Sequence, residues 1–201
     1  MLKNPNLTIT VNAAGKRLSE SGVPENLQSA KAQTIKVASD LQVYAQGLYY
    51  GNPFGSVGPM PPKSGMETTY AVVFAVTNTT NKIKDAKLTA TLPSYVRWLG
   101  MYTPSSSENV TFNKDNGTIS WSVGDIESGA GVSAPLRQVA IAIGFTPSTS
   151  QIGESPVLMQ DITLTGTDTS TNAPVTRTTK DITTNIQGDK GFKSADSTVV
   201  R

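Results

Sequence analysis

The chain has 201 residues, with 17 Lys and Arg against 15 Asp and Glu, and contains neither Cys nor His. A chain of this length buries about 70% of its extended surface on folding, so it needs no covalent staple. The missing thiols and imidazoles exclude disulfides, thiolate and imidazole metal sites, and Ser-His-Asp or Cys-His nucleophiles. Charged residues are only 16% and alternate in sign, which excludes a basic nucleic-acid surface, and no apolar run approaches the ~18 residues of a membrane span.

In chain order, the opening MLKNPNLTIT lacks the apolar segment of a secretory leader. The chain is therefore expected either to stay inside the cell or to be a piece of a longer exported protein, and the module-like run of strands downstream favours the second. LTITVN at 7–12 and TIKVA at 34–38 are strand-like, with a loop expected near 21–28. A piece under about 40 residues cannot form its own core, so residues 1–38 are expected to end a preceding module or to pack on the main domain as an extension. Residues 41–50 (LQVYAQGLYY) are expected to be the first strand of that domain, and the Pro- and Gly-rich 52–62 an ordered surface loop or edge segment.

Downstream, apolar residues recur with period two, as in half-buried strands: Tyr70, Val72, Phe74, Val76; Leu88, Ala90, Leu92; Ile119, Trp121, Val123; Val139, Ile141, Ile143, Phe145; Ile162, Leu164. A weaker, Thr-rich strand is expected at 178–186. Asn113 to Gly117 (NKDNG) is expected to be a hairpin loop, since Asn-Gly takes up positive φ easily. Trp121, between Ile119 and Val123 on one face, is expected in the core. The tail, 187–201, is polar and expected to be mobile or an edge strand. Short strands punctuated by Gly, Pro and Asn predict an all-β, antiparallel two-sheet sandwich over 39–186, with a strand-rich N-terminal extension.

The stretch YAVVFAVTNTTNKIKDAKLTATLPSYVRW, then NVTFNKDNGTISWSVGDIESGAG and VAIAIGFTP, resembles a conserved-repeat, immunoglobulin-like family of bacterial domains, the domain of unknown function eleven type. The matching positions are Tyr70, Val72, Phe74, Val76 and Asn78; Leu88, Thr91, Leu92 and Pro93; and Trp121, Val123, Gly124, Ile126 and Gly129. They span 67–147. Residues 12–200 are also similar to the C-terminal part of multi-module surface proteins of candidate-phylum bacteria, where the modules follow a membrane anchor that this sequence lacks. The resemblance implies an immunoglobulin-like sandwich, an extracellular or cell-surface location, and a spacer or adhesive role with no assigned catalytic residues. The partners implied are neighbouring modules of the same chain, other surface proteins or glycans.

The remaining candidate chemistry is sparse. Asp125 and Glu127 flank Ile126 and are weighed as a carboxylate pair, but a Gly-rich turn leaves them solvated. Asp115 and Asp168 lie in polar loops, yet one carboxylate per loop is too few for calcium. Lys87 and Lys180 are the conceivable donors of an isopeptide bond, with Lys87 expected on the solvent face. Tyr44, Tyr49, Tyr50, Phe54 and Tyr102 are weighed as a sugar-stacking platform. The expectation is a non-catalytic protein with no catalytic, cofactor-binding or metal residues and no cofactor. A carbohydrate-binding module and a self-assembling surface-layer or filament subunit are the alternatives. The outward residues Ala71, Val73 and Ala75, with Ala140, Ala142 and Gly144, are small and apolar where a solvated face should be polar. They are expected to form a strip covered by the N-terminal segment or the long loop.

Overall fold

Alternation in the sequence becomes twelve strands among the residues described by the computed structural model, which are 3–18, 22 and 24–201. They are β1 (Asn6–Leu18), β2 (Pro24–Lys36), β3 (Leu41–Leu48), β4 (Thr68–Asn78), β5 (Ile83–Thr91), β6 (Val96–Thr103), β7 (Asn109–Asn113), β8 (Thr118–Ile126), β9 (Arg137–Phe145), β10 (Val157–Asp168), β11 (Pro174–Thr178) and β12 (Ile182–Thr183). All the strand pairs are antiparallel.

Two sheets form the body, one ordered β3-β4-β9-β6 and the other β11-β10-β5-β8-β7, with β12 also paired to β10. Taking β3, β4, β5, β6, β9, β10 and β11 as strands A to G gives A-B-E-D facing G-F-C, the immunoglobulin arrangement. The β7–β8 hairpin widens the second sheet beyond the C position. Between the sheets lie the side chains whose alternation predicted them, with Trp121, Tyr70, Phe74, Phe145, Leu88 and Ile141 fully buried. The Tyr70 hydroxyl is buried with no partner among the described residues, and burial pushes its ionisation far above the ordinary tyrosine value.

Several expectations need correction. The loop near 21–28 is shorter than predicted, because β2 already begins at Pro24 and pairs with β1 from Leu18↔Pro24 to Asn6↔Lys36. The late strand at 178–186 is instead two pieces, β11 and β12, separated by 179–181. Val96–Thr103, not foreseen as a strand, is β6; its register with β9 jumps between Trp98 and Tyr102, where Gly100 takes φ +75°. The tail is fastened to the body: Val199 is buried, Val200 donates to Pro62 O (2.8 Å) and Gly153 donates to Val199 O (2.9 Å).

Register confirms that the small outward residues adjoin, with Ala71 opposite Ala142 and Val73 opposite Ala140. Ala71, Ala140 and Ala142 are buried. The cover does not come from β1 and β2, whose described side chains are exposed. On the same face β3 places Leu48, Gln46 and Tyr44 beside Ala71, Val73 and Ala75. The long loop bonds to β4 through Val57, whose carbonyl accepts from Thr69 N (2.8 Å) but whose side chain stays exposed, while Glu67, held by Arg97 through bonds of 2.6 and 2.8 Å, lies over Gly144. The outer face of the second sheet is polar, with rows such as Thr176, Thr165, Lys87, Ser122 and Asn109 crossing five strands.

Candidate interaction site

The β1–β2 ribbon is the element without a core. Thirteen residue pairs at about 3.4 Å per residue make it ~44 Å long. Period two sorts its side chains: Leu7, Ile9 and Val11 share a face with Ile35 and Leu27, and with Gln33 and Lys31, whereas Thr8, Thr10, Asn12 and Thr34 occupy the other. Leu7, Ile9 and Val11 are 57%, 48% and 64% exposed, and Leu27, Ile35 and Val37 are 45–47% exposed. An isolated two-stranded ribbon is marginal in water. Covering six half-exposed aliphatic side chains would be worth roughly 1 kcal/mol each, on the order of 6 kcal/mol in all.

A buried polar node roots the ribbon. Asp168 Oδ2 accepts from Ser39 N (2.7 Å) and Asn81 Nδ2 (2.8 Å), while Oδ1 accepts from Ser170 N (2.8 Å) and Thr171 N (3.1 Å). Asn81 Nδ2 also donates to Val37 O (2.8 Å), and Ser39 Oγ donates to Asn78 Oδ1 (2.6 Å). Burial pushes the Asp168 carboxyl up, but the donors from Asn81, Ser39, Thr171 and Ser170 outweigh it and hold the carboxyl below the ordinary aspartate value. With both oxygens engaged by N–H donors, Asp168 serves as a clamp on the chain entering the body.

At the other end of the sandwich, β6 and β7 are the outer strands of the two sheets. Between them opens a cleft of about 610 Å³, walled by Leu92, Val96, Trp98 and Phe112 and rimmed by Arg97, Lys114, Asp115 and Asn116. Trp98 and Phe112 stand 5.6 Å apart at 56°, and Trp98 Nε1 is buried with no partner among the described residues. Sequence reading missed both aromatics; the signal was present as alternation in Val96, Trp98 and in Val110, Phe112, but the Gly100 bulge interrupted the first.

The residues singled out from sequence are otherwise occupied. Asp125 and Glu127 both pair with Lys82 (3.0 and 2.8 Å), which draws the Asp125 carboxyl down. Asp115 lies on the cleft rim, apart from Asp168. Lys87 and Lys180 are exposed, so neither meets an Asn or Asp across the core. Tyr44 is exposed, Tyr102 packs against the core, and Tyr49 meets Tyr50 edge-on at 82°, which makes no flat stacking platform. Asp189 accepts from the backbone N–H groups of Tyr49, Tyr50 and Gly51 (2.7, 2.6 and 2.9 Å). Glu108 accepts from Trp121 Nε1 (2.7 Å) and Arg137 Nη2 (3.0 Å). Among the described residues no cluster of three metal-ligating side chains occurs, and no helix is long and apolar enough to cross a membrane.

No family model and no curated protein matches the chain. Among solved structures it is similar to BcpA, the major pilin subunit of Bacillus cereus, at 9% identity and a TM-score of 0.42, over 85% of this chain and 47% of that one. A variant of the same pilin gives 10% and 0.43 over the same shares. A DUF4466 family protein from Parabacteroides merdae gives 10% and a TM-score of 0.24, over 70% of this chain and 44% of that chain. The chain thus spans about half the length of the pilin it matches.

Proposed function

We propose that this chain is a non-catalytic structural module of a bacterial cell-surface protein, a sandwich spacer that joins its neighbour through the N-terminal ribbon. The observation that carries this is the ribbon, a long element with one aliphatic face in water and a buried, charged clamp at its root. A clamp of that kind fixes where the ribbon leaves the body, which suits an arm that must meet a partner. The ion pairs of the body tie strands and loops together, and the paired carboxylates considered for catalysis are spent on Lys82. Residues 39–186 act as the module, 1–38 as the joining element and 187–201 as a tail stitched back onto the body. The conserved-repeat resemblance of Tyr70–Asn78, Leu88–Pro93 and Trp121–Gly129 supports the surface setting, with any membrane anchor supplied outside these residues. Antibodies raised against the folded chain test this: labelling of intact source cells is expected, and labelling only after permeabilisation would overturn the surface assignment.

One observation favours a second reading, a carbohydrate-binding module: the β6–β7 cleft has aromatic walls and a polar rim. Its two rings are tilted at 56°, so a flat sugar stacks on one of them at most. A glycan array probed with the chain is expected to stay blank, and a reproducible hit lost in Phe112→Ala would favour this second reading.

A further inference from the structure

From the placement of ribbon and cleft we infer that the ribbon's partner is a second copy of this chain, and that it lands in that copy's β6–β7 cleft, head to tail. This rests on the reading of the chain as a module joined through its ribbon.

Charge selects the partner. Five of the 17 basic residues but only two of the 15 acidic ones fall within 1–38, so that segment carries +3 and the remainder of the chain −1. Two ribbons laid face to face bring like charges together, Lys31 beside Val11 on the aliphatic face among them. The rim of the cleft is balanced instead, with Arg97 paired to Glu67 and Lys114 next to Asp115, so a ribbon laid there meets less of that repulsion.

Position selects the landing site. The clamp holds the ribbon where β5 begins, since Ile83 pairs with Asp168. The cleft lies where β5 ends, since its wall residue Leu92 directly follows Thr91, the last residue of that strand. Nine residues of strand, about 30 Å, separate the two. Leu7, Ile9 and Val11 remain exposed, so the ribbon does not fill the cleft of its own body. In the cleft, β6 and β7 are sheet edges, which accept a further strand through the backbone, and Trp98 and Phe112 offer an apolar surface to alternate side chains. A donor and an acceptor at opposite poles make a heterologous contact, which propagates instead of closing.

The chain contains no cysteine, so engineered thiols are unique reporters. Val11→Cys and Lys114→Cys are made in separate proteins, both at solvent-exposed positions, and treated with a short bismaleimide alone and mixed. Cross-linked dimer is expected in the mixture at several times the level of either protein alone. Light-scattering mass of the parent is expected to rise with concentration, and Ile9→Lys, on the exposed ribbon face, to remain monomeric. Dimer from Val11→Cys alone would show ribbon on ribbon and overturn the cleft as landing site while leaving the ribbon as a joining element. A parent that is monomeric at every concentration, together with no cross-linked dimer in the mixture of the two variants, overturns self-association altogether. Labelling of intact cells would still decide the surface assignment, so the two failures are distinguishable.

Discussion

Asp168→Asn isolates the clamp at the root of the ribbon. The amide keeps the shape of the carboxylate but turns one oxygen into an NH2 group facing two N–H donors. Whichever way it is oriented, two of the four hydrogen bonds are lost, from Ser39 and Asn81 or from Ser170 and Thr171. Hydrogen bonds to a charged acceptor contribute about 1.5–3 kcal/mol each, so a loss of about 3–6 kcal/mol is expected against a total stability of roughly 5–15 kcal/mol. Urea unfolding followed by Trp fluorescence at pH 7 measures it by linear extrapolation. The sign with pH follows from the lowered carboxyl value. A carboxyl whose folded value lies below the unfolded one, about 3.9, gives its full stabilisation above that unfolded value and loses it as pH falls through the folded value. The gap between parent and Asp168→Asn is therefore widest at neutral pH and narrows below about pH 4. A variant within about 1 kcal/mol of the parent at pH 7, or a gap that stays constant into acid, would refute the clamp.

Removing Asp189 as Ala leaves the N–H groups of Tyr49, Tyr50 and Gly51 without their acceptor; a loss of about 2–4 kcal/mol is expected, with faster amide exchange at 49–51 as the check. Glu108→Ala leaves the Trp121 indole N–H without its acceptor and takes the carboxylate from Arg137, which keeps its bond to Val123 O, and about 2 kcal/mol is expected from chemical denaturation. Gly117→Ala combines φ +69° with a Cβ 2.7 Å from Leu92 O. The cost is about 2 kcal/mol, seen as a Tm lower by roughly 4–8 °C.

The body of the fold was legible where a strand alternates without interruption. β4, β8 and β9 carry large residues on every second position, and the sheets bury those residues. The Asn113–Gly117 turn was legible because positive φ needs Asn or Gly, and Gly117 has it. β6 was hidden because Leu99 and Met101 are as apolar as Trp98 and Tyr102, with Gly100 between them, so no polar and apolar alternation stands out. The fastening of the tail was hidden for a different reason. Asp189 and Val199 act on backbone groups more than a hundred or several tens of residues away, and no local pattern records such contacts. For the candidate site, LTITVN showed a strand with one apolar face, but only the fold shows that nothing among the described residues covers it.

The tail also has a mechanical consequence. The chain enters the body at Ser39, held at one pole, and its last residues are bonded to Pro62, Ser64 and Gly153 at the other. Tension applied between ribbon and tail runs nearly along the strand axes. It pulls β3 lengthwise past β4, and the eight pairs from Leu41↔Asn78 to Leu48↔Ala71 resist together instead of peeling apart singly. A linker built this way is expected to yield late and abruptly under stretch, while the same sheet pulled sideways at one corner would unzip pair by pair.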